Sequence, residues 1–162
     1  MSVCGRQGVT ALMYAARGGH LDCVKALLEE KGGAELLNQQ TTCGCTALSM
    51  AAEEGKSMAV GILIQSKADV NLPIKDGSTA LMHASKGGHY GSVEALLDKG
   101  ANAATKMNAT DKANAGMNSA MWAAQLGHLE ILKLLLDKGC LLYTSDAADE
   151  GLGVDLGGRR II

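Results

Sequence analysis

The chain has no phenylalanine, one tryptophan and three tyrosines. Without aromatic bulk, a core has to be filled by Leu, Ala, Met, Val and Ile, which favours small, closely packed helices over a sandwich or barrel. Also missing is any apolar run near the roughly 20 residues needed to cross a bilayer, and the N-terminus carries no charged-then-apolar signal pattern. A cytoplasmic or nuclear protein without membrane contact is expected. There is no run of Lys or Arg, and the net charge is −2. A basic footprint for nucleic acid is therefore absent, as are the aromatic platforms that single-strand binders use. The five cysteines are odd in number and follow no disulfide framework, so reduced thiols are expected. The 162 residues suffice for one domain with a real core.

What is present is repetition. "GVTALMYAARGGHLDCVKALLEEKG" from Gly8 aligns with segments starting at Gly44, Gly77 and Gly116. The equivalent positions Thr10, Thr46, Thr79 and Asn118 are spaced by 36, 33 and 39 residues, a period near 33 with two short insertions. Each of these residues sits where a helix should start and has a side-chain oxygen able to accept from a free first-turn N–H. A short helix of small residues follows, as in Ala11, Leu12, Ala15 and Ala16, and stops at Gly18-Gly19, Gly55, Gly87-Gly88 or Gly127. A second helix then carries an apolar stripe at helical spacing: Val24, Leu27, Leu28 in the first copy and Leu132, Leu135, Leu136 in the fourth. It ends at Gly32, Gly100 or Gly139, with Ala68 in place of glycine in the second copy.

The strings T-A-L-M, A-A-x-x-G-H and V-x-x-L-L followed by K-G-A or K-A-D-V-N resemble ankyrin repeats. The resemblance implies an all-α solenoid of four helix-turn-helix units with β-turn fingers, covering residues 8–139 after a lead-in of 1–7. Unit boundaries fall at about 8–43, 44–76, 77–115 and 116–139. Some positions depart from the family. Where T-P-L-H is usual, the fourth place holds Met13, Ser49, Met82 or Met121, so the family's buried Thr–His hydrogen bond should be missing. Lys56 replaces the customary His in the second unit, and Ala120 replaces a core Leu in the fourth. The latter change should cost roughly 2–5 kcal/mol unless Met117 or Trp122 fills the gap, making the fourth unit the weakest. The insertions "GGAELLNQQTT" and "KMNATDKANA" should lengthen the fingers. Tyr14 and Trp122 share a repeat position and should pack between units.

Residues 140–162 break the pattern. They resemble the in-frame translation of a transposase-inserted sequencing-library adapter: 140–149 and 154–162 match its fixed bases, and the gap between them fits an eight-base index. A disordered adapter-derived tail on a fragment is expected. Without it the repeats carry 13 acidic and 13 basic residues. A stack cut after the fourth unit should leave one side of Leu134 and Leu135 open to water.

No reactive constellation emerges. Cys43-Gly44-Cys45 lacks the second pair that a structural zinc site needs and reads as an exposed finger thiol pair. His20, His89 and His128 recur at a position where the family bonds the ring to backbone across the turn. His83 has no recurring Ser, Cys or carboxylate beside it that would make a catalytic set. The glycine pairs do not form a phosphate loop. Asn71, in "LIQSKADVN", resembles the family's hydroxylation context, or simply shapes the turn. No enzyme activity, cofactor or metal is expected.

The resemblance implies binding of a partner protein by a monomer, through fingers and first helices. The matching positions are Arg17 in the first unit and Cys45, Glu53 and Glu54 in the second. Lys75, Asp76, Ser78 and Lys86 follow in the third, and Met117 and Gln125 in the fourth. Alternating charge along this series implies a partner of mixed sign. A second reading makes the repeats the regulatory or substrate-recruiting arm of a larger enzyme such as a protein kinase.

Overall fold

The computed structural model describes residues 7–30, 32–108 and 114–138. The adapter-like residues 140–162 lie outside them. Among the described residues the structure is all-helical, with no strand. Four helix pairs follow one another: α1 (Ala11–Gly18) with α2 (Leu21–Glu29), α4 (Ala47–Glu53) with α5 (Ser57–Gln65), α6 (Ala80–Gly87) with α7 (Tyr90–Asp98), and α8 (Ser119–Gln125) with α9 (Leu129–Asp137). First helices stack in the order α1, α4, α6, α8, and second helices in the order α2, α5, α7, α9. The result is a helical solenoid. The first insertion does more than lengthen a loop: it adds one helical turn, α3 (Gly33–Leu36), against α2, and buries Leu37.

One apolar core runs through all four units. Leu12, Leu48 and Leu81 from the first helices are fully or almost fully buried, as are Val24, Val60 and Val93 from the second. Burying each such side chain contributes about 1.5–3 kcal/mol. The alanines between them, including Ala16, Ala51, Ala52, Ala84 and Ala123, are also buried and allow neighbouring first helices to approach closely. Ala120 joins this core with no exposure. Trp122 does not fill the space of the missing leucine, because it packs elsewhere, with Met82 and Met107. Leu135 is fully buried in the continuous core, contrary to the expected open face. The apolar side chains left exposed in the fourth unit are Leu126 and Leu129, with Leu132, Leu134 and Leu136 half-buried.

The helix starts are less uniform than their sequence. Thr10 Oγ1 accepts from the Met13 N–H at 3.3 Å, and Asn118 Oδ1 from the Met121 N–H at 2.9 Å. Thr46 and Ser49 cap reciprocally, at 3.1 and 2.9 Å, so serine supplies in the second unit the fourth-position bond that the missing histidine would have made. Thr79 makes no side-chain cap bond, and its buried hydroxyl has no partner among the described residues. At the end of α5 the left-handed residue is Lys67, at φ 72°, in the place Gly100 holds after α7. Ala68, the expected stand-in, is the buried residue beyond it.

Neighbouring units are joined by rings and loops. The carbonyls of Glu53 and Lys86 can only accept, so His89 Nε2–H donates to the first at 2.9 Å and His128 Nε2–H to the second at 3.2 Å. Each ring lies against a left-handed glycine of the preceding unit, Gly55 or Gly88, where a Cβ would collide with it. At the first seam Lys56 takes the histidine's place, and its aliphatic chain covers Gly19.

Among the described residues the expected fingers contain no strands. Turns close them instead: the Gly44 N–H donates to the Thr41 carbonyl and the Gly77 N–H to the Ile74 carbonyl, at 2.8 and 2.9 Å. Successive loops are tied by single backbone bonds, from Thr42 to Gln7, Lys75 to Cys43 and Asn108 to Asp76. Asn71 adds a side-chain tie. Its Oδ1 accepts from the Asn102 N–H at 2.7 Å and its Nδ2 donates to the Gly100 carbonyl at 3.2 Å. Both ends of this amide therefore hold the following loop.

Candidate functional site

The first helices of successive units end in charged side chains, Arg17 in α1, Glu53 in α4 and Lys86 in α6. Arg17, at the end of α1, reaches across the first seam to Glu54 at 3.0 Å. Both are well solvated, so the pair contributes little to stability, ~1 kcal/mol at most. Glu53 ends α4, Lys86 lies in the last turn of α6, and Gln125 is exposed at the end of α8. Lys75 is exposed on its loop.

Two of the expected contact residues are not surface groups. Cys45 is 5% exposed and Ser78 is 3% exposed. The Cys45 N–H bonds to Thr41 Oγ1 at 3.0 Å, and its sulfur is disulfide-bonded. This corrects both the expectation of an exposed thiol pair and that of reduced thiols throughout. Tyr14 is also displaced from its expected role: it is 53% exposed, whereas Trp122, at the equivalent position, is 8% exposed.

The third unit builds a site of its own. Asp76 Oδ1 accepts from both the Ser78 N–H, at 2.8 Å, and the Ser78 hydroxyl, at 2.7 Å. That hydroxyl has only one proton. The 3.1 Å contact between Ser78 Oγ and His83 Nε2 is therefore a bond from the imidazole N–H to the serine oxygen. Desolvation holds the half-buried His83 below the ordinary imidazole range, against the upward pull of the Glu53 and Asp76 carboxylates and with a further lowering by Lys86. The imidazole is thus neutral near pH 7. Asp76, Ser78, Met82, His83, Lys86, Met107 and Trp122 together line a half-open pocket of about 50 Å³. The Trp122 indole N–H donates to Met107 Sδ at 3.4 Å, and the Lys86 ammonium stands 4.4 Å from the ring centroid.

The pocket contains serine, histidine and aspartate in the wrong order for nucleophilic catalysis. The aspartate accepts the serine's hydroxyl bond directly, and the histidine donates to the serine instead of accepting from it. Among the described residues no cluster of His, Cys, Asp or Glu could hold a metal ion, and no helix is long and apolar enough to cross a membrane. Met117 is half-buried and packs against Met82, Met107 and Trp122 without lining the pocket. The repeat alignment did not single out Met107, because it falls in an insertion. Its only sequence signal was a lone apolar residue in a polar loop.

The sequence profile described as "Ankyrin repeats (3 copies)" matches residues 1–74, 32–111 and 59–146. Among similar curated proteins, an ankyrin repeat and KH domain-containing protein of Caenorhabditis elegans is 36% identical over 96 residues, 59% of this chain and 4% of its own length. The neurogenic locus notch homolog protein 1 of Xenopus laevis is 36% identical over 120 residues, 74% of this chain and 4% of its own. The human transient receptor potential cation channel subfamily A member 1 is 33% identical over 101 residues, 62% of this chain and 8% of its own. The chain thus spans less than a tenth of each of these relatives. Profile, helix pairing and ring-to-carbonyl seams agree: the chain belongs to the ankyrin repeat family.

Proposed function

We propose that the chain is a docking module that binds a partner protein through the surface made by its loop tips and first helices, acting as a cytoplasmic monomer. The observation that carries this reading is the placement of charge. Glu53, Lys75, Asp76 and Lys86 lie on that one surface without an ion pair among the described residues, around a pocket walled by Trp122 and two methionines. Charged groups left unpaired beside an aromatic wall suit recognition better than stability. The turns at Thr41–Gly44 and Ile74–Gly77 act as short fingers in this reading.

Site-directed photocrosslinking tests it. A photoreactive residue at Lys75, Glu54 or Gln125 is expected to trap one common protein in the source cells, and the same residue at Lys25, Glu94 or Lys133 on the second helices is not. Crosslinks from the second-helix positions alone would refute the reading. A recruiting-arm role within a longer polypeptide is supported by a relative whose name joins ankyrin repeats to a KH domain. We also read residues 140–162 as translated adapter, and recovering the native 3′ coding sequence checks that reading.

A further inference from the structure

We propose that the pocket of the third unit takes a basic side chain, an arginine or lysine on an extended segment of the partner, and that Lys86 is its internal competitor. The inference rests on the docking function above and names the chemistry of the partner.

The first support is the position of Lys86. Its ammonium has no carboxylate partner among the described residues and stands on the Trp122 ring, 4.4 Å from the centroid. An indole face attracts cations through its quadrupole, so this wall of the pocket already holds the kind of group proposed. The second support is the balance of charge. Among the described residues the Asp76 carboxylate receives only neutral donors, the Ser78 N–H and hydroxyl. Glu53 acts on the same imidazole from the neighbouring unit and forms no ion pair among the described residues. Glu54, by contrast, is already met by Arg17. The pocket lining therefore holds one carboxylate and one ammonium around a neutral histidine, and once Lys86 leaves, the Asp76 carboxylate is open to an incoming cation. Size is the third support. A cavity of about 50 Å³ holds the head of one side chain and is far below the roughly 300 Å³ of the smallest cofactor sites. An incoming cation takes the ring face and the Asp76 carboxylate, while Lys86, which is exposed, swings into water at little cost. An acidic side chain meets the Asp76 carboxylate instead.

The chain has a single tryptophan, so its fluorescence and its indole N–H resonance report on this pocket alone. The full chain is titrated with blocked pentapeptides carrying one Arg, one Lys or one Glu between glycines. Saturable shifts are expected with the Arg and Lys peptides, weakening with salt, and none with the Glu peptide. Glu53→Gln, which keeps the side chain's shape and removes its charge, is expected to weaken binding about threefold or more, and Asp76→Asn likewise. Lys86→Ala is expected to tighten it, whereas a lysine that merely braced the ring would make the same change weaken it. Preference for the Glu peptide, weaker binding in Lys86→Ala, or no shift with any peptide would overturn the proposal. If those results came with crosslinks still arising from Lys75 and Gln125, the chemistry of the partner would be wrong and the docking surface right. Loss of the crosslinks as well would reject both.

Discussion

The seam between the second and third units and the seam between the first and second use the same backbone positions with different chemistry. At the former, His89 caps the Glu53 carbonyl and lies against Gly55. At the latter, Lys56 lays its methylenes on Gly19, and the Arg17–Glu54 pair spans the gap at the surface. One seam is held by a half-buried directional bond and the other by apolar cover plus a solvated ion pair. The stacking of first helices is the same at both. The comparison shows that core packing sets the register of the stack, while the ring adds specificity and a modest stabilisation.

The largest disturbance should come from Gly55→Ala. The residue is left-handed, and its new methyl would collide with the His89 ring. Left-handed strain of roughly 1–2 kcal/mol and a hydrogen bond worth about 1 kcal/mol are lost together, visible as a lower denaturant midpoint. Lys56→Ala should cost less than that, because only apolar cover is removed. The converse change, Lys56→His, should raise stability by about 1 kcal/mol, by offering the Arg17 carbonyl the bond that its counterparts in later units receive. If the midpoint does not rise, the two seams are not equivalent in geometry. Smaller again is Lys67→Gly, which relieves left-handed strain but loosens the unfolded chain, for a net gain of about 0.5 kcal/mol. The same change made at a right-handed lysine, such as Lys25 within α2, should destabilise.

The last prediction concerns pH. His83 is lowered, chiefly by desolvation, so the unfolded chain takes up its proton first as pH falls. Stability is then undiminished above the ordinary imidazole pKa of about 6.5 and is lost as pH drops through the folded value. His83→Gln should flatten that acid limb in denaturant titrations at stepped pH. An unchanged slope would show that the ring is solvated.

Much of this was legible in the chain itself. The four-fold recurrence, the small-residue first helices and the glycines that stop them are local and periodic, and among the described residues they appear where expected. The recurring histidines could be assigned to the turn because their spacing keeps them in register with the glycine they cover. Residues whose role depends on a neighbour unit were harder to place. Tyr14 and Trp122 occupy one repeat position, yet the first is exposed and the second walls a pocket, because Met82 and Met107 supply partners only to Trp122. Cys45 and Ser78 read as tip residues but are buried within the loops. Lys67, not Ala68, carries the left-handed turn, a one-residue shift that composition cannot reveal. The first insertion read as loop became a helical turn, because Leu36 and Leu37 could reach the core.

Taken alone, then, the amino-acid order determined the unit, its period and the inward face of each helix, since these depend on interactions within a few residues of one another. Only the stacked structure decided which of the repeated positions remain exposed, and that Asp76, Ser78, His83, Lys86, Met107 and Trp122 share one pocket. Their meeting depends on contacts between loops and helices of separate units, and on the insertion that carries Met107 back to the third, which no repeat period encodes.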